Sequence, residues 1–226
     1  MFSSRALLAG LIGAVGASGG LLSVPAYAQS PPPATAGGMT VTSSNVDQFL
    51  LTPEGTVDGL LLQNNTIVRF SANMRREISQ RVRPGDLVVV SGAPEGAGQL
   101  HASKLEDRTA QITISENPPS GPPSASGERQ AMTVSGTVRV VTRSPRGDVD
   151  GAVLSNGVVI HVAPDAALYF SNILRPDQPL AASGWGTVNQ FGKSVEASSL
   201  GPSIDKLTPV QIPPQWIPPS NPPSTR

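Results

Sequence analysis

From residue 39 onward the chain reads as short runs of aliphatic and β-branched residues, cut by Gly, Pro and Asn. Residues 39–51, rich in Val, Thr and Phe, predict a long first strand. Thr52-Pro53-Glu54-Gly55 predicts a turn, with Pro presetting φ and Gly free to take a positive one. Residues 56–62 form a second apolar run, Asn64-Asn65 marks a tight hairpin turn, and residues 66–70 form a third strand. The period then changes from two to about four. Met74, Ile78 and Val82 fall on one helix face, Asn73 suits the N-cap and Pro84 stops the helix. Residues 86–91 and 99–106 predict strands four and five, on either side of a Gly-rich loop at 93–98.

This pattern occurs twice. Val57-Asp58-Gly59-Leu60-Leu61-Leu62-Gln63-Asn64 returns 92 residues later as Val149-Asp150-Gly151-Ala152-Val153-Leu154-Ser155-Asn156. The same offset relates Pro53 to Pro145, Arg83-Pro84 to Arg175-Pro176, and Ser91-Gly92 to Ser183-Gly184. In the second copy Asn156-Gly157 marks the hairpin and Asp165 the N-cap. Ala166, Phe170 and Leu174 form the helix stripe. Leu168 and Tyr169 widen that stripe, as a thicker core or as a surface that packs on the first repeat. Each copy has about 70 residues, enough to bury its own core. The order β-β-β-α-β-β is that of the OB-fold, a five-stranded Greek-key barrel. An SH3-like barrel with a longer insertion is the alternative, and the helix in the third connection favours OB. The expected architecture is mainly β, two tandem OB-like barrels at 39–108 and 131–201.

The remaining segments read as address and spacer. Arg5 precedes the apolar stretch ALLAGLIGAVGASGGLL, and Ala26-Tyr27-Ala28 follows it: a secretory signal peptide at 1–28, cleaved after Ala28. An N-terminal membrane anchor is the alternative; the stretch is Gly-rich and barely long enough to span. Pro, Ser and Gly crowd 29–38, the linker 109–130 and the tail 202–226, all expected to be disordered. The tail can adopt an extended polyproline form and present Trp216 and Pro219 to a partner, or act as a spacer.

Composition narrows the function. The chain has 226 residues, 16 basic and 16 acidic, 2 His and no Cys. No thiolate metal site, disulfide or Cys nucleophile is available, and a Cys-free exported chain fits a bacterial periplasm. Neutral charge and 4% aromatics weigh against a general nucleic-acid binder.

Beyond the repeat, the quoted residues resemble a bacterial exported OB-like domain family of unknown function. Its pattern, G-x-V-D-G-x-x-L-x-[ND]-G followed by [VL]-[KR]-P-G-D-x-V-x-V-x-G, is met by Gly55 to Asn64 and Val82 to Gly92. The second repeat meets it at Gly147 to Gly157 and Leu174-Arg175-Pro176-Asp177. The resemblance covers both repeats and implies fold and export, with no established activity. Such domains often carry Phe-Pro-Pro-His after strand three. Here Phe70-Ser71-Ala72-Asn73 and Val162-Ala163-Pro164-Asp165 stand there, so a ligand site marked by that His is absent.

Candidate chemistry is sparse. Asp148-Val149-Asp150-Gly151 hints at calcium, but no distal acid follows in register; Asp58 and Asp150 read better as residues bonding the turn before Gly59 and Gly151. His161 and His101 lack a nucleophile and an orienting partner; His161 reads as a surface or edge residue. Arg69, Arg75, Arg76, Arg81 and Arg83 read as a solvated helix face, with Arg75, Arg76 and Arg83 pointing outward. Single-strand or glycan binding needs exposed rings. Trp185, Phe191 and Lys193, placed around the loop between strands four and five of repeat two, are the candidate contact residues. The expectation is therefore a non-enzymatic binding or interaction protein with no cofactor and no metal. Its partner would be an unknown ligand or envelope protein. The alternative is an OB-fold binder of oligosaccharide, envelope polymer or single-stranded nucleic acid.

Overall fold

The computed structural model describes residues 34–36, 38–96, 98–116 and 128–210. The first half holds β1 (Ala34–Ala36), β2 (Met39–Leu51), β3 (Val57–Leu62), β4 (Ile67–Phe70), α1 (Ala72–Arg81), β5 (Leu87–Pro94), β6 (Gln99–Asp107) and β7 (Ile112–Ser115). The second holds β8 (Gln130–Arg143), β9 (Val149–Leu154), β10 (Val158–His161), α2 (Pro164–Ala167), β11 (Pro179–Asn189), β12 (Gly192–Gly201) and β13 (Thr208–Pro209).

Strand pairing closes both halves. Around barrel one the order is β2-β3-β4-β6-β5 and back to β2; around barrel two it is β8-β9-β10-β12-β11 and back to β8. One pairing in each ring is parallel, β4 with β6 and β10 with β12, and the rest are antiparallel. Strands one to three in series, five inserted between three and four, and four closing on one is the OB topology.

Closure depends on a long, bent first strand. In β2 the residues Thr40–Asn45 pair with β5 while Val46–Leu51 pair with β3. A register shift between Val46 and Gln48 leaves Asp47 unpaired. In β8 the same shift falls between Val138 and Val140, leaving Arg139 unpaired. An extra residue of this kind bends the strand and lets it serve two neighbours.

The hairpins after β3 and β9 form where Asn64-Asn65 and Asn156-Gly157 place them, with a different geometry. The carbonyl of Leu62 accepts from the Asn65 amide at 2.9 Å, and Leu154 accepts from Gly157 at 2.9 Å. Only the last turn residue takes a positive φ, 64° at Asn65 and 84° at Gly157. This is a longer turn ending in a left-handed residue, so Asn is tolerated where Gly serves in the other copy.

The helices depart further from expectation. α1 starts at Ala72 with Ser71 as N-cap, so Asn73 already lies inside the first turn. Met74, Ile78 and Val82 are fully buried as the stripe requires. In barrel two Ala163 is the N-cap, Pro164 opens the helix, and Asp165 sits in its first turn. One α turn passes at once into a 3-10 turn, Leu168–Phe170. Ala166 and Leu174 are buried, but Leu168 and Tyr169 are 75% and 66% exposed. They neither thicken the core nor pack on barrel one, because the tightened turn rotates them to the outside.

Three short strands extend the folded residues past the boundaries read from composition. β1 pairs with β2 at the start of barrel one, β7 pairs with β6 inside the expected linker, and β13 pairs with β12 inside the expected tail. Ile114 of β7 is buried in the core of barrel one, which is why that strand belongs to the fold. The signal peptide at 1–28, the Pro/Gly-rich 29–33, the central linker at 117–127 and the tail at 211–226 lie outside the described residues.

Each barrel encloses its own core. Barrel one is filled by Leu51, Leu60, Leu62, Leu100, Leu105, Phe49 and Phe70; barrel two uses smaller residues, among them Ala152, Ala166, Ala167, Ala182 and Ala197. Both lie within one unit, Pro33–Arg226. A third apolar cluster joins them: Leu50, Leu61 and Ile67 from barrel one with Val153, Val159 and Val140 from barrel two.

Candidate binding surfaces

In OB-folds the face of strands two and three, with the neighbouring loops, is where oligonucleotides and oligosaccharides bind. Here those strands are β3–β4 and β9–β10. They are apolar on both sides: Leu60, Leu62 and Val68 fill barrel one, while Leu61 and Ile67 point out of it into the third cluster. Val153 and Val159 do the same from barrel two. The two strand two–three faces are therefore packed against each other.

The packing is nearly twofold. Leu61 and Val153, and Ile67 and Val159, are repeat equivalents and meet in one cluster. Arg139 Nη1 donates to Asp47 Oδ2 at 2.5 Å, joining the two bulge residues, which are 92 positions apart and so equivalent themselves. Ser194 Oγ donates to the Leu51 carbonyl at 3.2 Å. Its counterpart Gln99 clamps the backbone of Arg143, the counterpart of Leu51, with its amide oriented to accept at 2.7 Å and donate at 3.1 Å. A twofold contact of this kind brings one patch against a copy of itself.

Charge follows the same axis with one asymmetry. Arg69 on β4 reaches Asp58 at 2.7 Å and Asp150 of barrel two at 3.4 Å, with 19% of its side chain exposed. Arg75 joins Asp58 at 2.6 Å. The position equivalent to Arg69 is His161, whose Nε2 donates to the Leu51 carbonyl at 2.6 Å. His161 is thus a junction residue rather than a free edge residue. Burial holds its imidazole below the ordinary value, outweighing the Leu51 bond and Asp150, which pull upward. Asp58 and Asp150 are ion-pair partners of Arg69 rather than turn-bonding residues: Asp58 pairs with it within barrel one, and Asp150 pairs with it across the junction.

The Arg cluster is accordingly spent inside the molecule. Arg69 and Arg75 are paired with the two Asp, Arg81 lies 3.6 Å from Glu77, and Arg83 donates to the carbonyls of Val82 and Gln80 at 2.8 Å each, capping the end of α1. Of the five only Arg76 faces solvent without such a partner among the described contacts. Among the described residues the cluster therefore forms no basic track.

The loops close the rim. Thr187 Oγ1 donates to Pro53 O at 3.0 Å and Asn189 donates to Gly55 O at 2.8 Å, so the first turn of barrel one rests on β11. In that turn Glu54 is held below the ordinary carboxyl range; burial opposes this, but the Thr52 hydroxyl, its own backbone amide and the charge of Arg129 outweigh it.

The three expected contact residues separate. β11 and β12 are joined by a two-residue turn, Gln190-Phe191, so Trp185 lies within a strand and not in a loop. Phe191 packs on the core of barrel one, its ring 5.3 Å from that of Phe49 and edge-on. Lys193 is the second residue of β12, paired with Val188. Trp185 is 56% exposed on the outer face of barrel two. A groove of about 270 Å³ opens beside the Phe49–Phe191 contact, lined also by Gln48, Ser79, Arg83, Pro84 and Gln190. His101 Nδ1 lies 3.2 Å from Glu95 on barrel one, remote in sequence from any of these. Among the described residues no group of three His, Asp or Glu is placed to hold a metal, and no helix is long and apolar enough to cross a membrane.

The twofold junction had a signal in the sequence. Leu60-Leu61-Leu62 and Val158-Val159-Ile160 are unbroken apolar runs, and a strand buried on both faces reads that way.

No family model and no curated protein matches this chain. Among solved structures, a deletion mutant of the single-stranded DNA binding protein from Thermus aquaticus is similar at 14% identity, over 78% of this chain and 97% of that one. Its TM-score is 0.24, too low to equate the two folds.

Proposed function

We propose that this is an exported, non-enzymatic binding protein in which two OB-like barrels act as one rigid body. The observation that carries the reading is the mutual burial of the strand two–three faces. Both barrels give up their usual ligand face to each other, so target contact falls to the outer faces. Export is supported by the Arg5, apolar stretch and Ala-Tyr-Ala pattern at the start of the sequence. The binding role is supported by a barrel scaffold on which the titratable groups of the junction are paired with one another and not gathered around an open cleft. The family resemblance of the two repeats adds to the case for export and carries no activity of its own.

Hydrogen exchange of the secreted chain, with and without a solubilised cell-envelope fraction, tests it. Protection is expected on outer strands, with 59–69 and 151–161 already slow and unchanged. Ligand-dependent deprotection of 59–69 and 151–161 would show that the barrels part to bind, and would contradict the reading. Cell fractionation with N-terminal sequencing checks export; the mature chain is expected to begin at Gln29 outside the cytoplasm.

A further inference from the structure

The outer face of barrel two carries an aromatic platform that the junction does not use. Trp185 stands on β11 between Gly184 and Gly186. A Cβ at Gly184 would meet Glu196 O at 1.9 Å, and one at Gly186 would meet Ser194 O at 2.0 Å. The strand is thus pressed against β12 on either side of the indole, which fixes its backbone and directs the ring outward. A rigid, pre-placed aromatic loses little entropy on binding.

The neighbours of the ring are short or polar. Across β8 it faces Ala131, and across β12 it faces Glu196. Two residues back on the same face, Ser183 Oγ meets Thr133 Oγ1 at 3.2 Å, and Ser198 Oγ donates to Ser183 O at 3.0 Å. Glu196 pairs with Arg129 at 2.5 Å, both partly exposed. The face spans three strands, about 10 Å across, and is electrically balanced: one Arg, one Glu, several hydroxyls and one indole.

We infer that this face binds a short neutral oligosaccharide. A sugar ring offers an apolar C–H face to stack on the indole and hydroxyls at its edge. Hydroxyl, carboxylate and guanidinium groups around Trp185 supply donors and acceptors for that edge, as a site of one apolar surface and a few placed polar groups should. A nucleic-acid strand or an anionic lipid surface would need net positive charge, and Arg129 is already neutralised by Glu196. This assignment rests on the proposed binding role and specifies its face and ligand class.

Full-length protein carrying Trp216→Phe leaves Trp185 as the single indole. It is titrated with oligomers of glucose, oligomers of N-acetylglucosamine, and oligothymidine, followed by Trp emission and by calorimetry. A saturable response to one neutral sugar oligomer is expected. By calorimetry Trp185→Ala should weaken it at least about tenfold, roughly 1.4 kcal/mol, and Trp185→Phe should keep part of it. Circular dichroism of both variants should match the parent, since the site is exposed. Absence of binding by every neutral oligomer, or binding that survives Trp185→Ala, would overturn the inference. So would a response to oligothymidine alone. Sugar binding elsewhere on the closed barrels would remove this platform and leave the rigid-module reading intact. Sugar binding that deprotects 59–69 and 151–161 would remove both.

Discussion

The two barrels have the same strand order and fill it differently. Barrel one packs large Leu and Phe side chains under a ten-residue helix; barrel two puts Ala152, Ala166, Ala167, Ala182 and Ala197 among its Leu, Ile and Val, under a single α turn that tightens into 3-10. Leu60 of one core stands where Ala152 stands in the other. At the junction the copies have kept matched roles. Leu61 and Val153, Ile67 and Val159, and Asp47 and Arg139 still meet their own equivalents. A barrel interior can be refilled one side chain at a time provided total volume is kept. At the junction the residues differ between copies as well, as Leu61/Val153, Ile67/Val159 and Asp47/Arg139 do, so what the copies share there is which positions meet and not which residues fill them.

The largest expected effect lies in the cores. Leu60→Ala should cost about 3 kcal/mol, within the usual range for a fully buried Leu. The reverse change, Ala152→Leu, should cost about 1–3 kcal/mol by overpacking. Urea denaturation followed by circular dichroism measures both. If the junction couples the barrels, each variant shifts one common transition; two separate transitions, with only one moved by each variant, would break the comparison.

Next comes the junction charge. Arg69→Ala leaves Asp150 without its cation and Asp58 with Arg75 only. Breaking a buried pair costs about 3–5 kcal/mol; with about a fifth of Arg69 exposed, we expect about 2 kcal/mol after allowing for solvent screening. The same denaturation experiment reads it, and Arg69→Lys, which cannot span both carboxylates with a planar fork, should recover only part.

A smaller effect concerns the residue that replaces Arg69 in barrel two. Burial holds His161 below its ordinary value of 6.5. As pH falls, the unfolded chain therefore takes up a proton before the folded one does. The stability contributed by neutral His161 is whole above 6.5 and is lost as the pH falls through the folded value. His161→Gln keeps an N–H for Leu51 O and does not titrate. The stability difference between wild type and this variant should shrink toward acid, in thermal melts between pH 7.5 and 4.5 as roughly chosen limits. A difference independent of pH would remove His161 from the junction's balance. The smallest effect is expected at Leu168→Ser and Tyr169→Ser, within about 0.5 kcal/mol, as exposed residues without special contacts behave.

Much of this was legible in the residues. The offset of 92, the turn residues Asn64-Asn65 and Asn156-Gly157 and the period switch at Met74 placed the strands and gave their order. Helix length in barrel two was not legible. Ala166, Phe170 and Leu174 keep the helical spacing although the chain leaves α geometry at Leu168, because a 3-10 turn followed by a loop returns Leu174 to the core. The site was the least legible part. Trp185 and Phe191 are six residues apart with Gly between them, and composition alone suggested a loop. Close approach of β11 to β12 turns those glycines into strand residues and separates the two rings. Asp58, Arg69 and Asp150 were visible as charges, but their pairing needed the second barrel in place, which local pattern does not supply.

The two barrels meet through equivalent faces, and the absence of Cys offers a clean way to test that junction. Asp47→Cys with Arg139→Cys places the only two thiols of the chain at the bulges that face each other. A short thiol–thiol cross-linker applied to dilute native protein should give one intramolecular product in high yield, and none once urea has unfolded the chain. Failure of the native chain to cross-link, or formation of intermolecular products only, would contradict the junction.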